Sequence, residues 1–224
     1  HQRATFKRFL GENYTGSMVK PRELGSDGAI ACERRPCFLQ DWVNEMAGHV
    51  KSIDANHLLE IGLEGFYSGS RTQLNPLNQT VGTDFVGNNL LGQVDFATIH
   101  LYPESWLPST SDEVRANFAE DWVRVHVRNC DEVLKKPLVL AEFGKSSKES
   151  GFSVDVRNRY FGRIYDEIIG SVQGGRALVG GLFWQLMVAG MEDWSDGYDV
   201  ILEDSSSTAA LIAVQSKKLS IFNK

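Results

Sequence analysis

An apolar run closes on a carboxylate in Leu138-Val139-Leu140-Ala141-Glu142, and Phe143-Gly144 follow it. Three other apolar runs end on residues that would be wasteful in a core: Glu60 and Glu64, His100 and Tyr102, and Trp184 with Gln185. Carboxylate, imidazole, phenol and indole suit work on a carbohydrate. A carboxylate can act as nucleophile or acid-base on a glycosidic bond, while aromatic faces cover the apolar side of a sugar ring. These residues lie far apart in sequence, so the chemistry needs a scaffold that gathers strand ends at one mouth. A barrel of alternating strands and helices does so at the carboxyl ends of its strands.

The elements that would position them alternate in the way such a scaffold requires. Phe38, Leu39, Trp42, Val43, Met46, Ala47, Val50 and Ile53 recur at helical spacing up to about Asp54. Strands are predicted over His57–Phe66, Val94–Tyr102, the run that carries Glu142, and Val179–Leu186. Ser111-Asp112-Glu113 caps a helix reaching about Cys130, with Val114, Phe118, Trp122, Val125 and Val133 as its expected buried side. A second helix over Val154–Val172 turns Tyr160, Ile164, Ile168 and Ile169 inward and stops at Gly174-Gly175, and a last one covers Ser206–Leu219. The polar segment 67–92 is long for a plain connection and is expected to have a role of its own. Residues 1–37 carry no period and read as an irregular N-terminal segment, leaving 38–224 as the barrel part. Four strand–helix units make the fold class α/β, a partial (β/α)8 TIM barrel comprising its C-terminal half to two-thirds and lacking the first strands.

Composition narrows the partners. With 224 residues and 42% hydrophobic content the chain can bury a core, and its net charge of -6 supplies no basic stripe for a nucleic acid. No apolar run approaches the roughly 20 residues needed to cross a bilayer, and His1–Lys7 lacks the apolar segment of a signal peptide. Cys32, Cys37 and Cys130 match no zinc spacing, and a Cys32–Cys37 or Cys37–Cys130 bridge is open. Asn13-Tyr14-Thr15 and Asn78-Gln79-Thr80 are N-glycosylation sequons. No metal or cofactor is expected, since no group of His, Asp and Cys suggests a metal and the Gly174-Gly175 and Gly180-Gly181 pairs belong to no phosphate loop.

Ile61-Gly62-Leu63-Glu64-Gly65-Phe66-Tyr67, the segment from Asp95 to Pro103, the segment from Leu138 to Ser146, and Leu182-Phe183-Trp184-Gln185-Leu186 together resemble the plant endo-β-1,4-mannanases of glycoside hydrolase family 5. These are retaining glycosidases on (β/α)8 barrels, and the resemblance runs from about residue 38 to the C-terminus. It implies hydrolysis of internal β-1,4-mannosidic bonds in mannan, glucomannan and galactomannan, and a secreted, cell-wall location. It makes Glu142 the nucleophile, and His100 and Tyr102 cleft residues, with Tyr102 hydrogen-bonded to Glu142. Trp184 becomes the platform under the sugar at the cleavage point. The family's acid/base segment, Trp-Glu-Leu-x-Asn-Glu-Pro-Arg-Cys, has no intact counterpart. Arg22–Cys37 stands in its place and offers Glu23 and Glu33 without their expected neighbours. The chain is therefore expected to hydrolyse mannan poorly or not at all, and a mannan-binding or vestigial protein is the alternative reading.

Other residues have plainer readings. Asn44-Glu45 reproduces part of the acid/base motif but sits among helical neighbours without a following proline. Trp106 and Trp194 are sugar subsites or packing, whereas His126 and Asp131, in a helix and at its end, are expected to be solvated. A partial barrel should also expose unpaired strand edges, which favour aggregation.

Overall fold

A computed structural model describes residues 30–69 and 73–222, with side chains from Leu39 onward except that of Gln79. The chain divides into two compact units, His1–Arg35 and Pro36–Lys224. Only Ile30–Arg35 of the first unit is described, and it is helical. Glu23 and the side chains of Cys32, Glu33 and Cys37 lie outside the described residues, as does the sequon at Asn13.

Helix α1 covers Ile30–Ile53, so the stretch from Ile30 to Cys37, read from sequence as irregular, is helical. Val43 and Ala47 form its buried side, while Val50 and Ile53 lie exposed beyond the contact. The long connection holds two short helices, α2 (Asn78–Val81) and α3 (Phe85–Asn89). Strand β1 (Ala97–Leu101) and helix α4 (Pro103–Trp106) come next, then helix α5 (Asp112–Asn129), which runs into a π-turn at Cys130–Leu134. Strand β2 (Leu138–Phe143), helix α6 (Val154–Gln173) and strand β3 (Leu178–Phe183) follow. A short parallel pair, β4 (Leu186–Met187) with β5 (Val200–Ile201), precedes helix α7 (Ser206–Ser220).

The larger sheet is parallel throughout, in the order β1-β2-β3. Its strands are connected through helices α5 and α6, the crossover arrangement that alternating apolar and amphipathic segments dictate. Both helices begin at the residues expected of them. Ser111 accepts the amide N–H of Val114, and Ser153 accepts that of Val156. Ile99, Leu101, Leu138 and Leu140 are wholly buried, and burying a side chain of this size contributes about 2 kcal/mol. Among the described residues β3 pairs with no strand beyond β2 and leaves Val179 and Leu182 exposed, as expected of a partial barrel.

The predicted strand over His57–Phe66 does not form a ladder. Gly62 and Gly65 take positive φ and break the extended path, although the Glu64 carbonyl still accepts the His100 N–H and the Leu63 carbonyl accepts the Thr98 hydroxyl. The segment therefore lies beside β1 without pairing regularly. Gly65 has φ +99°, and a Cβ there would meet Ile99 Cγ2 at 2.7 Å and His126 Nε2 at 3.1 Å. Gly65→Ala is expected to destabilise the fold by about 2 kcal/mol or more, seen as a lowered urea midpoint. An unchanged midpoint would show that this backbone is not held where the glycine places it.

The buried side of α5 is Ala119, Trp122, Val123, His126 and Val127, whereas Val114 and Val133 are exposed. The stripe is rotated from the expected one because the helix packs its Trp122–His126 edge against the irregular segment. His126 is fully buried instead of solvated, with Nδ1 2.6 Å from the Trp122 carbonyl and Nε2 2.8 Å from that of Gly65. Asp131 also has a structural task, accepting from Arg176 Nε and from the Ala177 amide to tie the π-turn to the start of β3. Trp106 is core, packed edge-on to Phe66 and Trp122, and Trp194 is 75% exposed. Cys130 is a buried free thiol, which removes the Cys37–Cys130 bridge. Asn78 is 2% exposed with its side-chain oxygen bonded to the Tyr67 amide, so that sequon is closed to glycosylation in the folded chain.

Candidate active site

Three parallel strands bring their carboxyl ends together, and a local irregularity sets which side chains meet. Ile99 pairs with Leu140, but His100 pairs with Glu142, so the extra residue Ala141 lies in a bulge on β2. Bulges re-aim side chains. This one places Glu142 opposite His100, with the His100 Nδ1 to Glu142 Oε2 distance at 3.3 Å. Tyr102, one residue beyond β1 and next to the Pro103 that opens α4, donates its hydroxyl to the same oxygen at 2.9 Å. The Trp122 indole N–H holds the His100 carbonyl at 3.0 Å and so fixes the tip of β1.

The electrostatics make Glu142 a reluctant anion. Burial pushes its pKa up, the Tyr102 hydrogen bond opposes that, and the charges of Glu64 and Asp196 raise it further. Burial drives the His100 pKa down to about 4. At neutral pH the imidazole is therefore uncharged, and its contact with Glu142, though within ion-pair distance, is between a dipole and a charge. Tyr102 is raised strongly, first by burial and then by the neighbouring Glu142 charge, and remains a protonated donor.

Trp184 follows β3, and its amide donates to the Phe143 carbonyl at 2.8 Å, which registers it beside the Glu142 strand. Its indole N–H donates to Asp196 Oδ2 at 2.6 Å, and the ring is 38% exposed. The Glu60 carboxylate is folded back onto the Gly62 amide. Asn44 and Glu45 are on the exposed face of α1.

Four residues escaped the sequence reading. Glu104 and Lys145 form an almost buried ion pair linking α4 to the loop after β2. Asp196 holds Trp184, and Tyr198 packs edge-on against Tyr102 with ring centroids 5.2 Å apart. The Asp196-Gly197 pair is a turn signal between the last strand segments, β4 and β5, and that was the available clue. A groove of about 700 Å³ lies on the outer side of α5, lined by Leu74, Phe118, Arg124 and Arg128 among others, and it shares no residue with the strand tips. Among the described residues no cluster of three His, Cys, Asp or Glu could hold a metal ion, and no helix is long and apolar enough to cross a membrane.

A parallel α/β scaffold that gathers an ionisable carboxylate, a phenol, an imidazole and an indole at its strand ends is the arrangement of a barrel-type site. The particular family is shown by similarity. Residues 23–201 match the family model described as GH family 5 beta-mannosidase-like, and the chain belongs to that family of glycoside hydrolases. It is 48% identical over 189 residues to mannan endo-1,4-beta-mannosidase 7 of Arabidopsis thaliana, covering 83% of this chain and 44% of the relative. It is 49% identical over 181 residues to mannan endo-1,4-beta-mannosidase 4 of Solanum lycopersicum, covering 81% of this chain and 45% of the relative. The chain thus spans about half the length of the curated relatives it matches. Among solved structures, the endo-beta-1,4-mannanase of Thermotoga petrophila superposes with a TM-score of 0.64 at 26% identity, covering 83% of this chain and 40% of that one. The fold is part of the TIM barrel that those mannanases share.

Proposed function

We propose that Glu142 is the nucleophile of a retaining, endo-acting hydrolysis of β-1,4-mannosidic bonds in mannan, glucomannan and galactomannan. The observation that carries this reading is the shared contact of Tyr102 and His100 with a single oxygen of Glu142 at the end of a parallel strand. Tyr102 steadies the carboxylate in its ionised form and orients it, and neutral His100 adds a dipole without neutralising it. In the first step a Glu142 oxygen bonds to the anomeric carbon as the glycosidic C–O bond breaks, and the leaving oxygen takes a proton. In the second step water attacks the same carbon and the carboxylate departs. Trp184, partly exposed beside this strand, offers its face to the sugar.

The substrate class rests on kinship with mannan endo-1,4-beta-mannosidases, and we propose with it an extracellular, cell-wall location, where such a polysaccharide would be met. Retaining chemistry needs a second carboxylate about 5 Å away to deliver and recover the proton. That group should come from the altered Arg22–Cys37 segment, where the Asn-Glu-Pro triplet is missing. We therefore assign this chain the nucleophile half of the chemistry and little hydrolysis of polymer.

The test is to trap the glycosyl-enzyme with a 2-deoxy-2-fluoromannosyl fluoride and map the adduct by peptide mass spectrometry. Label on the Leu138–Lys145 peptide at Glu142, absent in Glu142→Gln, is the expected result. Label on another carboxylate would overturn the assignment.

A further inference from the structure

The connection between β4 and β5 holds both halves of this site, and the proposed chemistry does not use it. Asp196 accepts the Trp184 indole N–H at 2.6 Å, and its other carboxylate oxygen accepts the Tyr198 amide at 2.9 Å. The Tyr198 ring meets Tyr102 edge-on, 5.2 Å between centroids and 73° between planes, and its hydroxyl lies 3.2 Å from Ser105 Oγ. Gly144, just beyond Glu142, makes room for it, since a Cβ there would fall 2.6 Å from the Tyr198 ring and 2.7 Å from the Trp184 carbonyl. The loop is fastened to the nucleophile's own strand exit, because the Ser147 amide donates to the Gly197 carbonyl at 2.7 Å. It is fastened to the Trp184 side as well, where the Gln185 amide donates to the Tyr198 carbonyl at 3.2 Å.

We infer that Asp196 and Tyr198 are positioning residues: Asp196 sets the plane of the Trp184 sugar platform, and Tyr198 sets the phenol that bonds Glu142. This rests on the proposed roles of Glu142 and Trp184. The geometry makes the two settings interdependent, since the Asp196 carboxylate is bonded to both the indole and the Tyr198 backbone. Asp196 also has an electrostatic effect. Burial raises its pKa, but the hydrogen bonds from Trp184, Tyr198 and Gln185 outweigh burial and hold it low, so it is an anion at neutral pH. The groups facing Glu142 are then Tyr102 and His100 from the β1 tip, Glu64 from the segment beside β1, and Asp196 from this loop. Only Tyr102 lowers its pKa among these, and Asp196 is one of two like charges raising it.

The chain is compared with Asp196→Ala, Asp196→Asn and Tyr198→Phe for mannohexaose binding by calorimetry, for exchange of the Trp184 indole N–H, and for the Glu142 titration by ¹³C NMR. Asp196→Ala should weaken mannohexaose binding about tenfold and speed exchange of the indole proton, as expected for the loss of a charge-assisted hydrogen bond. Asp196→Asn keeps an acceptor for the indole, so it should restore binding and slow exchange while lowering the Glu142 midpoint by roughly half a pH unit. Tyr198→Phe should leave the indole unchanged and loosen Tyr102, raising the Glu142 midpoint. If Asp196→Ala does not fold, the Asp196→Asn titration and the Tyr198→Phe comparison decide by themselves. Indole exchange and a Glu142 midpoint unmoved in all folded variants would overturn the inference while leaving the sugar site intact. Failure of the unaltered chain, and equally of Trp184→Ala, to bind mannohexaose would instead overturn the proposed substrate, because exchange and titration need no sugar.

Discussion

Given a β-mannoside with a dinitrophenolate leaving group, the chain is expected to release about one equivalent of the phenolate in a burst and then nearly stop, while locust-bean mannan yields little reducing sugar. A dinitrophenolate departs without protonation, so formation of the glycosyl-enzyme asks only for the nucleophile. Under the proposal Glu142 supplies it, with Tyr102 and His100 both on one of its oxygens. Breaking a bond to a sugar hydroxyl, and activating water for the second step, both need the partner carboxylate whose motif is altered in Arg22–Cys37. Glu142→Gln should lower the burst rate on the order of 10⁴-fold or more, the scale seen when a nucleophile is removed. Azide, which needs no base, should restore turnover of the activated mannoside in the unaltered chain. Steady release of reducing sugar from locust-bean mannan, abolished by Glu142→Gln, would show that an acid/base is in place and that this division of labour is wrong.

Acid should unfold the chain well before its carboxylates are fully protonated. Burial holds His100 and His126 at about 4 in the folded state, with the Trp122 and Gly65 carbonyls opposing the effect at His126. Unfolded, both imidazoles take protons near 6.5. Depressed folded values mean that stability is complete above about 6.5 and is lost as pH falls toward 4, because there the unfolded chain binds two protons that the folded chain does not. Each displacement is worth about 3 kcal/mol at 1.36 kcal/mol per unit, and together they are comparable with the whole stability of a domain. Glu142 and Glu60, both raised chiefly by burial, act in the opposite sense and recover part of the loss near the lower end. Urea unfolding at stepped pH values should give a midpoint that falls steeply between pH 6.5 and 4.5. His126→Gln, which keeps a donor for the Gly65 carbonyl but does not titrate, should flatten that fall by about half. A midpoint independent of pH across this window would show that the two rings are not held neutral by burial.

What the sequence determined by itself was local or periodic. Ser111 and Ser153 open their helices at the expected residues because a cap needs only its own side chain and the next turn. The strands around Ile99, Leu140 and Leu178 follow from apolar runs between turn signals, and four such units imply a parallel barrel. Glu60, Glu64, His100, Tyr102, Glu142, Trp184 and Gln185 stood out because residues of those types are wasteful at the end of an apolar run, and the family resemblance picked Glu142, His100, Tyr102 and Trp184 from among them.

Tertiary structure decided whatever depended on partners distant in the chain. The strand over His57–Phe66 gave way to positive φ at Gly62 and Gly65, and at Gly65 the close approach of Ile99 and His126 leaves no room for a side chain. Helical periodicity placed an apolar stripe on α5 but could not fix its rotation, so His126 was read as solvated when it lies in the core. The bulge that sets Glu142 against His100 is a property of two strands in register, and neither strand announces it alone. The same is true of Asp196 and Tyr198, which reach Trp184 and Tyr102 only once the β4–β5 connection lies beside the exit of β2. Hydrogen bonds and packing act over a few ångströms in space, and only folding converts separation along the chain into that distance.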